Sequence, residues 1–179
     1  VGAGPAGAAA GIVLARAGVD VAVVDRARFP RDKTCGDAVS AGAMHVLDEL
    51  GLGHEVRTGP HAPVRAAAAV FPDGTRIERR YDPPSYIVPR LVFDDVLKRA
   101  LDRAGARVLE GRHVACLKTS DRVVCGAEGP GFDWQAPIVI AADGHASIGT
   151  DALGQSRVRG RHLGLSTTAY YRGVRFPFG

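Results

Sequence analysis

Apolar and polar positions along this chain switch between two periods. Residues 8–17 are rich in Ala and Leu and end at Gly18, which predicts a helix. Residues 19–24 form a β-branched run, the pattern of a strand buried on both faces of a parallel sheet. Val1 reads as the tail of an earlier strand, so residues 1–25 predict strand, glycine-rich turn, helix, strand. Residues 26–40 are a charged loop. Helical signals return from Ser40, an N-cap residue, through Leu50, with Gly51 as the stop.

Residues 64–81 predict a hairpin turning at Pro72-Asp73-Gly74, and Pro83 and Pro84 are expected to break the chain after it. A second helix is predicted over 91–104, with Val92, Val96, Leu97, Ala100 and Leu101 on one face. Short strands are expected over 106–109, 114–117, 122–125 and 136–142, the last apolar throughout and followed by Asp143-Gly144. A strand-like stretch over 162–174 closes the pattern. Together these predict an α/β fold: a Rossmann-like, doubly wound, mostly parallel sheet with a βαβ start and an antiparallel β insertion around 61–90.

Composition leaves that picture in place. At 46% hydrophobic and 23% charged the chain has the usage of a soluble α/β protein, and no stretch reaches the roughly 18 apolar residues of a membrane span. The net charge of +4 is scattered, whereas a nucleic-acid protein would gather it into a stripe. Cys35, Cys116 and Cys125 are odd in number and lack zinc spacing, which points to reduced thiols and a cytoplasmic protein. The six histidines, His113 and His145 among them, show no ligand spacing and read as ordinary surface or core residues.

Candidate chemistry begins at Gly2-x-Gly4-x-x-Gly7. Gly2 permits a tight turn, Gly4 lets backbone approach a pyrophosphate, and Gly7 lets helix and strand pack closely. The following helix offers free N–H groups to phosphates. Asp25 stands at the end of the second strand, where an acid accepts hydrogen bonds from an unphosphorylated adenosine ribose. Three further segments carry polar groups. Asp143-Gly144 ends an apolar strand, where ligands bind in such sheets but where turns also occur. Arg90 opens a helix, either to meet a phosphate or ribose or as a surface cation. The loop Phe29-Pro30-Arg31-Asp32-Lys33-Thr34-Cys35-Gly36-Asp37 is either functional or a solvated charged loop.

Taken together, Val1-Gly2-Ala3-Gly4-Pro5-Ala6-Gly7, Val23-Val24-Asp25-Arg26, the 29–37 loop, Arg90 with Phe93-Asp94, and Ala142-Asp143-Gly144-x-x-Ser147 resemble the flavoprotein monooxygenase superfamily built like para-hydroxybenzoate hydroxylase. The 29–37 loop is most similar to that superfamily's geranylgeranyl reductase branch. The resemblance implies that FAD is the cofactor and that NAD(P)H is the electron donor. It implies that Gly2, Gly4, Pro5, Ala6 and Gly7 hold the FAD pyrophosphate and that Asp25, with Arg26 beside it, holds the adenosine ribose. Lys33 and Arg90 would contact FAD, Asp143 and Gly144 would sit beside it, and Cys35 and Gly36 would lie near the flavin ring, with Cys35 as a catalytic candidate.

The same resemblance implies an FAD-binding domain over 1–160 and the beginning of a β-rich substrate-binding domain over 161–179, in a chain expected to be a fragment. The implied activity is reduction of C=C bonds in a prenyl or related lipophilic substrate, with peripheral membrane contact. NAD(P)H- and FAD-dependent hydroxylation of an aromatic or polyketide substrate is the alternative. A non-catalytic nucleotide- or nucleic-acid-binding fragment is the alternative from another class, although the scattered charge speaks against a nucleic-acid partner.

Overall fold

The computed structural model describes residues 1–155 and 164–175. Helix α1 (Pro5–Arg16) starts three residues earlier than the Ala-Leu pattern predicts, because Pro5 occupies its first turn, where a missing N–H costs nothing and the fixed φ is already helical. Strand β1 (Ala22–Asp25) is shorter than its apolar run, since Val19 stays half exposed outside the sheet. Strand β2 (Ala38–Val39) leads into helix α2 (Ala41–Glu49), capped as expected by Ser40, whose hydroxyl accepts from the Ala43 N–H at 3.1 Å. A short helix α3 (Gly53–Thr58) follows.

The hairpin consists of β3 (Ala62–Val70) and β4 (Arg76–Ile87), turning through Gly74 at φ +84°. Pro83 and Pro84 do not break it, contrary to expectation. Val64 pairs with Ser85 and Ala66 with Arg80, so β4 carries surplus residues between these pairs and the prolines sit in that bulge, where no ladder donor is required. Strand β2 adds to the other side of β4, giving the order β2-β4-β3.

Helix α4 (Arg90–Arg103) buries Phe93, Val96, Leu97, Ala100 and Leu101, largely the face its periodicity marks. It packs against α1 where Gly11 has no side chain; a Cβ there would stand 2.6 Å from Leu101 Cδ1 and 3.3 Å from Val23 Cγ2. After α4, β5 (Arg107–Glu110) pairs in parallel with β1, Ala22 opposite Arg107 through Asp25 opposite Glu110. An antiparallel meander follows: β6 (Cys116–Ser120), β7 (Val123–Gly129) and β8 (Phe132–Gln135). The third strand of this meander was not legible in the sequence.

The apolar run over 136–142 makes no regular strand of its own, but it completes the parallel layer. Val1 donates to the Ile140 carbonyl at 2.7 Å and accepts from the Ala142 N–H at 2.8 Å, one residue bonded to two positions two apart, as in a parallel pair. The Gly2 N–H bonds to the Val24 carbonyl on the other side. The layer therefore runs β5, β1, residues 1–3, residues 140–142, and the carboxyl ends of all four tracks meet along one edge. After a 3₁₀ turn (Gly144–Ala146), helix α5 (Ile148–Ala152) returns across that edge. This is the α/β, Rossmann-like arrangement with mixed sheets that the sequence predicts.

Two apolar clusters hold it. The larger joins Ala8 and Ile12 of α1, Val23 of β1, and Leu97 and Leu101 of α4 to Met44 and Leu47 of α2. The smaller, around Val24, Val114 and Ala127, lies beneath the carboxyl edge. The expected strand over 162–174 is not seen in its described part: residues 164–175 carry no strand. Residues 162 and 163, and the expected domain junction at 160/161, lie outside the described residues.

Candidate functional site

Along the carboxyl edge the chain forms a cleft of about 260 Å³. Its floor is the glycine turn. Gly2 adopts φ +93°, a left-handed conformation that favours glycine, and a Cβ on it would stand 2.5 Å from the Ala142 carbonyl oxygen. A Cβ on Gly7 would stand 1.8 Å from the Gly2 carbonyl oxygen, so Gly7 is what lets α1 begin directly on the turn. Gly4 differs from both. Its φ of −68° suits any residue, and a Cβ there would meet only Arg31 Nη2, at 3.8 Å. The absent side chain of Gly4 therefore leaves room for a ligand rather than for the protein.

Asp25 closes the turn. Its Oδ2 accepts from the Ala3 N–H at 2.7 Å and its Oδ1 from the Ala27 N–H at 2.8 Å. Both oxygens thus brace the backbone on either side of the cleft, and each keeps a second lone pair for a ligand hydroxyl. Opposite, Asp143 Oδ2 accepts from the Ile148 N–H at 2.6 Å at the start of α5, while Oδ1 is buried with no partner. A buried carboxylate oxygen needs a donor, which here a water or a ligand hydroxyl in the cleft would supply. Lys33 crosses from the 29–37 loop, its Nζ 3.6 Å from where a Cβ on Gly144 would stand.

Of the residues the sequence singles out, Gly2, Gly4, Asp25, Arg26, Lys33 and Asp143 line the cleft. Pro5, Ala6 and Gly7 lie just behind it in the first turn of α1, and Gly144 lies at its rim. Cys35, Gly36 and Arg90 are placed elsewhere. Arg90 forms a bidentate pair with Asp94, Nε to Oδ1 and Nη2 to Oδ2, both at 2.7 Å. These bonds raise the Arg90 pKa above its ordinary value, with the Cys35 thiol adding to the effect. Cys35 is a free, half-buried thiol. Asp37 is 3% exposed and left-handed at φ +56°; one oxygen accepts from the Tyr170 hydroxyl and the other has no partner. That bond pushes the Tyr170 pKa up to about 12.

Arg31, Arg112, His113 and His145 also line the cleft, and sequence reasoning assigned them no role. His113 and His145 are exposed, as a surface reading expects, and their place on the cleft adds to that reading. A signal was present: Arg112 and His113 follow the end of β5, at the same sheet edge as the glycine turn. Among the described residues no His, Cys, Asp and Glu group is arranged to hold a metal ion, and no helix is long and apolar enough to cross a membrane.

Known proteins agree with this geometry. The model of the family described as FAD binding domain matches residues 1–168. Menaquinone reductase of Mycobacterium tuberculosis is 35% identical over 178 residues, which is 95% of this chain and 43% of that protein. Digeranylgeranylglycerophospholipid reductase 1 of Methanothermobacter thermautotrophicus is 34% identical over 158 residues, 82% of this chain and 38% of that one. Among solved structures, the flavin-dependent halogenase CmlS superposes with a TM-score of 0.74 at 26% identity, over 86% of this chain and 30% of its own. The chain spans less than half the length of these relatives.

Proposed function

The chain belongs to the FAD binding domain family, and on that premise we propose that the protein it represents is an FAD-dependent oxidoreductase acting on a small lipophilic or aromatic substrate. The observation that carries this reading is the pairing of an open backbone cradle at Gly4 with an unpartnered buried acceptor, Asp143 Oδ1, across one cleft. The cradle suits a diphosphate, which needs N–H donors and no side chain in the way. The orphaned acceptor suits a ribose or ribityl hydroxyl. Gly2, Gly4 and the first turn of α1 would hold the diphosphate, Asp25 the adenosine ribose, and Asp143 a hydroxyl farther along the cofactor. FAD supplies the electron-carrying ring; this chain's own share is to fix that ring's position and to keep its phosphates desolvated and paired.

Two finer readings divide on what the reduced cofactor meets. Hydroxylase-type chemistry with oxygen and NAD(P)H is supported by the likeness to a flavin-dependent halogenase. Reduction of a prenyl C=C bond is supported by relatives named as reductases and by the loop that ends in Cys35-Gly36-Asp37. The broader structural likeness favours the first. Full-length protein should consume NAD(P)H faster with an aromatic substrate in air and yield a hydroxylated product. Saturation of an isoprenoid alkene by the reduced protein without oxygen would reverse the order of the two readings. A purified protein that neither carries nor takes up FAD would end both.

A further inference from the structure

Asp94 carries no solvent exposure at all, yet it lies on α4 between two arginines. Arg90 takes both of its oxygens by the bidentate pair described above. Arg31 approaches from the 29–37 loop, its Nη1 2.6 Å from Asp94 Oδ2 as an ion pair but without hydrogen-bond geometry. The Arg31 guanidinium also stacks over the Phe29 ring, 5.1 Å from its centroid. Both arginine side chains are largely buried, at 14% and 11% exposed. One carboxylate with two guanidiniums leaves a surplus positive charge in a desolvated place, an arrangement that is costly unless an anion joins it.

The two arginines are not equivalent with respect to the cleft. Arg90 spends its fork on Asp94 and does not line the cleft. Arg31 lines it, keeps a buried Nη1 without a hydrogen-bond acceptor, and points Nη2 at the open space over Gly4. Resting on the reading that the cleft takes the FAD diphosphate, we infer that Arg31, rather than Arg90, is the arginine that meets that diphosphate, and that Asp94 is a positioning residue that aims it. The surplus charge at Asp94 is then completed by the cofactor's phosphates, which ties the buried face of α4 to cofactor occupancy. Arg90 serves as the brace that keeps Asp94 in register.

The test uses flavin-free full-length protein and two probes, ADP and adenosine, with binding read by calorimetry. Arg31→Gln should weaken ADP about 10–100-fold, the loss of one or two charge-assisted bonds, and leave adenosine affinity unchanged. Asp94→Asn should weaken ADP in the same sense, because it frees Arg31 without touching the ligand. Arg90→Gln should change the ratio of ADP to adenosine affinity less than Arg31→Gln does. Thermal melts accompany each variant; if Asp94→Asn does not fold, Arg31→Gln and Arg90→Gln still decide. Equal losses of ADP and adenosine in Arg31→Gln, or a larger ADP-specific loss in Arg90→Gln, would overturn the inference while leaving the cofactor site standing. Unaltered protein that binds neither FAD nor ADP would overturn the cofactor reading as well.

Discussion

The hairpin β3–β4 and helix α4 follow one another in the chain, separated by two residues, and they are held by different means. Helix α4 is buried along one whole face, with Leu97 and Leu101 packed against α1 and its one buried carboxylate bound by two arginines. The hairpin is exposed on nearly every residue of β3, and Val70, Phe71 and Ile77 stand in solvent. Its Glu78 lies between Arg76 and Arg80, at 3.2 and 3.1 Å, in solvent-facing ion pairs of the kind that contribute little. In α4, side chains determine where the backbone sits. In the hairpin the backbone ladder does most of this, and apart from Tyr86, which packs against the core near the end of β4, its side chains are largely free to change. The cleft draws no lining residue from the hairpin.

The largest expected effect separates these two regions directly. Leu101 is 0% exposed and Ile77 is 58% exposed. Leu101→Ala should cost about 2–5 kcal/mol through lost burial and the cavity left beside Gly11. That lowers Tm by roughly 4–20 °C for a domain of this size. Ile77→Ala should stay within about 0.5 kcal/mol. Thermal unfolding followed by circular dichroism reads both. Similar shifts for the pair would mean that the hairpin is covered in the intact protein and that the contrast drawn above belongs to this part of the chain only.

A smaller effect on stability, but a decisive one on the cofactor, is expected within the glycine turn. Gly7→Ala places a methyl group 1.8 Å from a backbone oxygen, so the turn must open and both stability and flavin binding should fall. Gly4→Val meets no backbone atom and needs no unusual φ. It should leave stability within about 1 kcal/mol, the scale of an N-cap change, while FAD binding drops at least ~100-fold because the side chain occupies the cradle. The visible spectrum of purified protein, set beside its melting curve, distinguishes the two. A yellow Gly4→Val protein with normal flavin content would place the diphosphate elsewhere.

How much of this was legible in the sequence depends on where each residue's instruction lies. Helices α1, α2 and α4 were readable because their periodicity, caps and stops are local: Ser40 caps α2 through a bond three residues away. The glycine turn was readable for the same reason. The track 140–142 was only half readable, since its apolar character is local but its partner, Val1, lies 139 positions away in the chain. The Pro83-Pro84 prediction failed because a bulge is a property of two strands in register and neither strand announces it alone. Arg31 was missed for a similar reason. Its neighbours in sequence are charged loop residues, and only folding brings Asp94 and Gly4 to its two sides. The position of Asp25 at the end of the second strand was legible, but its bonds to the Ala3 and Ala27 amides require the turn's three-dimensional closure.

The smallest effect tests whether the exposed half of the comparison extends to the β6–β8 meander. Cys116 on β6 faces Glu128 on β7, its register partner, and the thiol donates to Glu128 Oε1 at 3.1 Å. This hydrogen bond, followed by desolvation and then the carboxylate's charge, raises the thiol pKa above its ordinary value, while Lys118 pulls weakly the other way. The protonated thiol is therefore favoured in the fold at neutral pH, and that preference is lost as rising pH removes the proton. Glu128→Ala removes both the acceptor and the charge, so the pKa falls and the thiolate fraction at a fixed pH near 8 rises. Since the thiolate is the reactive form, alkylation of Cys116, followed by mass spectrometry, should speed up a few-fold, with the inflection of its pH–rate curve moved to lower pH. Because Cys116 is exposed, the melting temperature should hardly change. A large fall in melting temperature would instead place this pair with the interlocked charges around Asp94, where removing one partner strands the others.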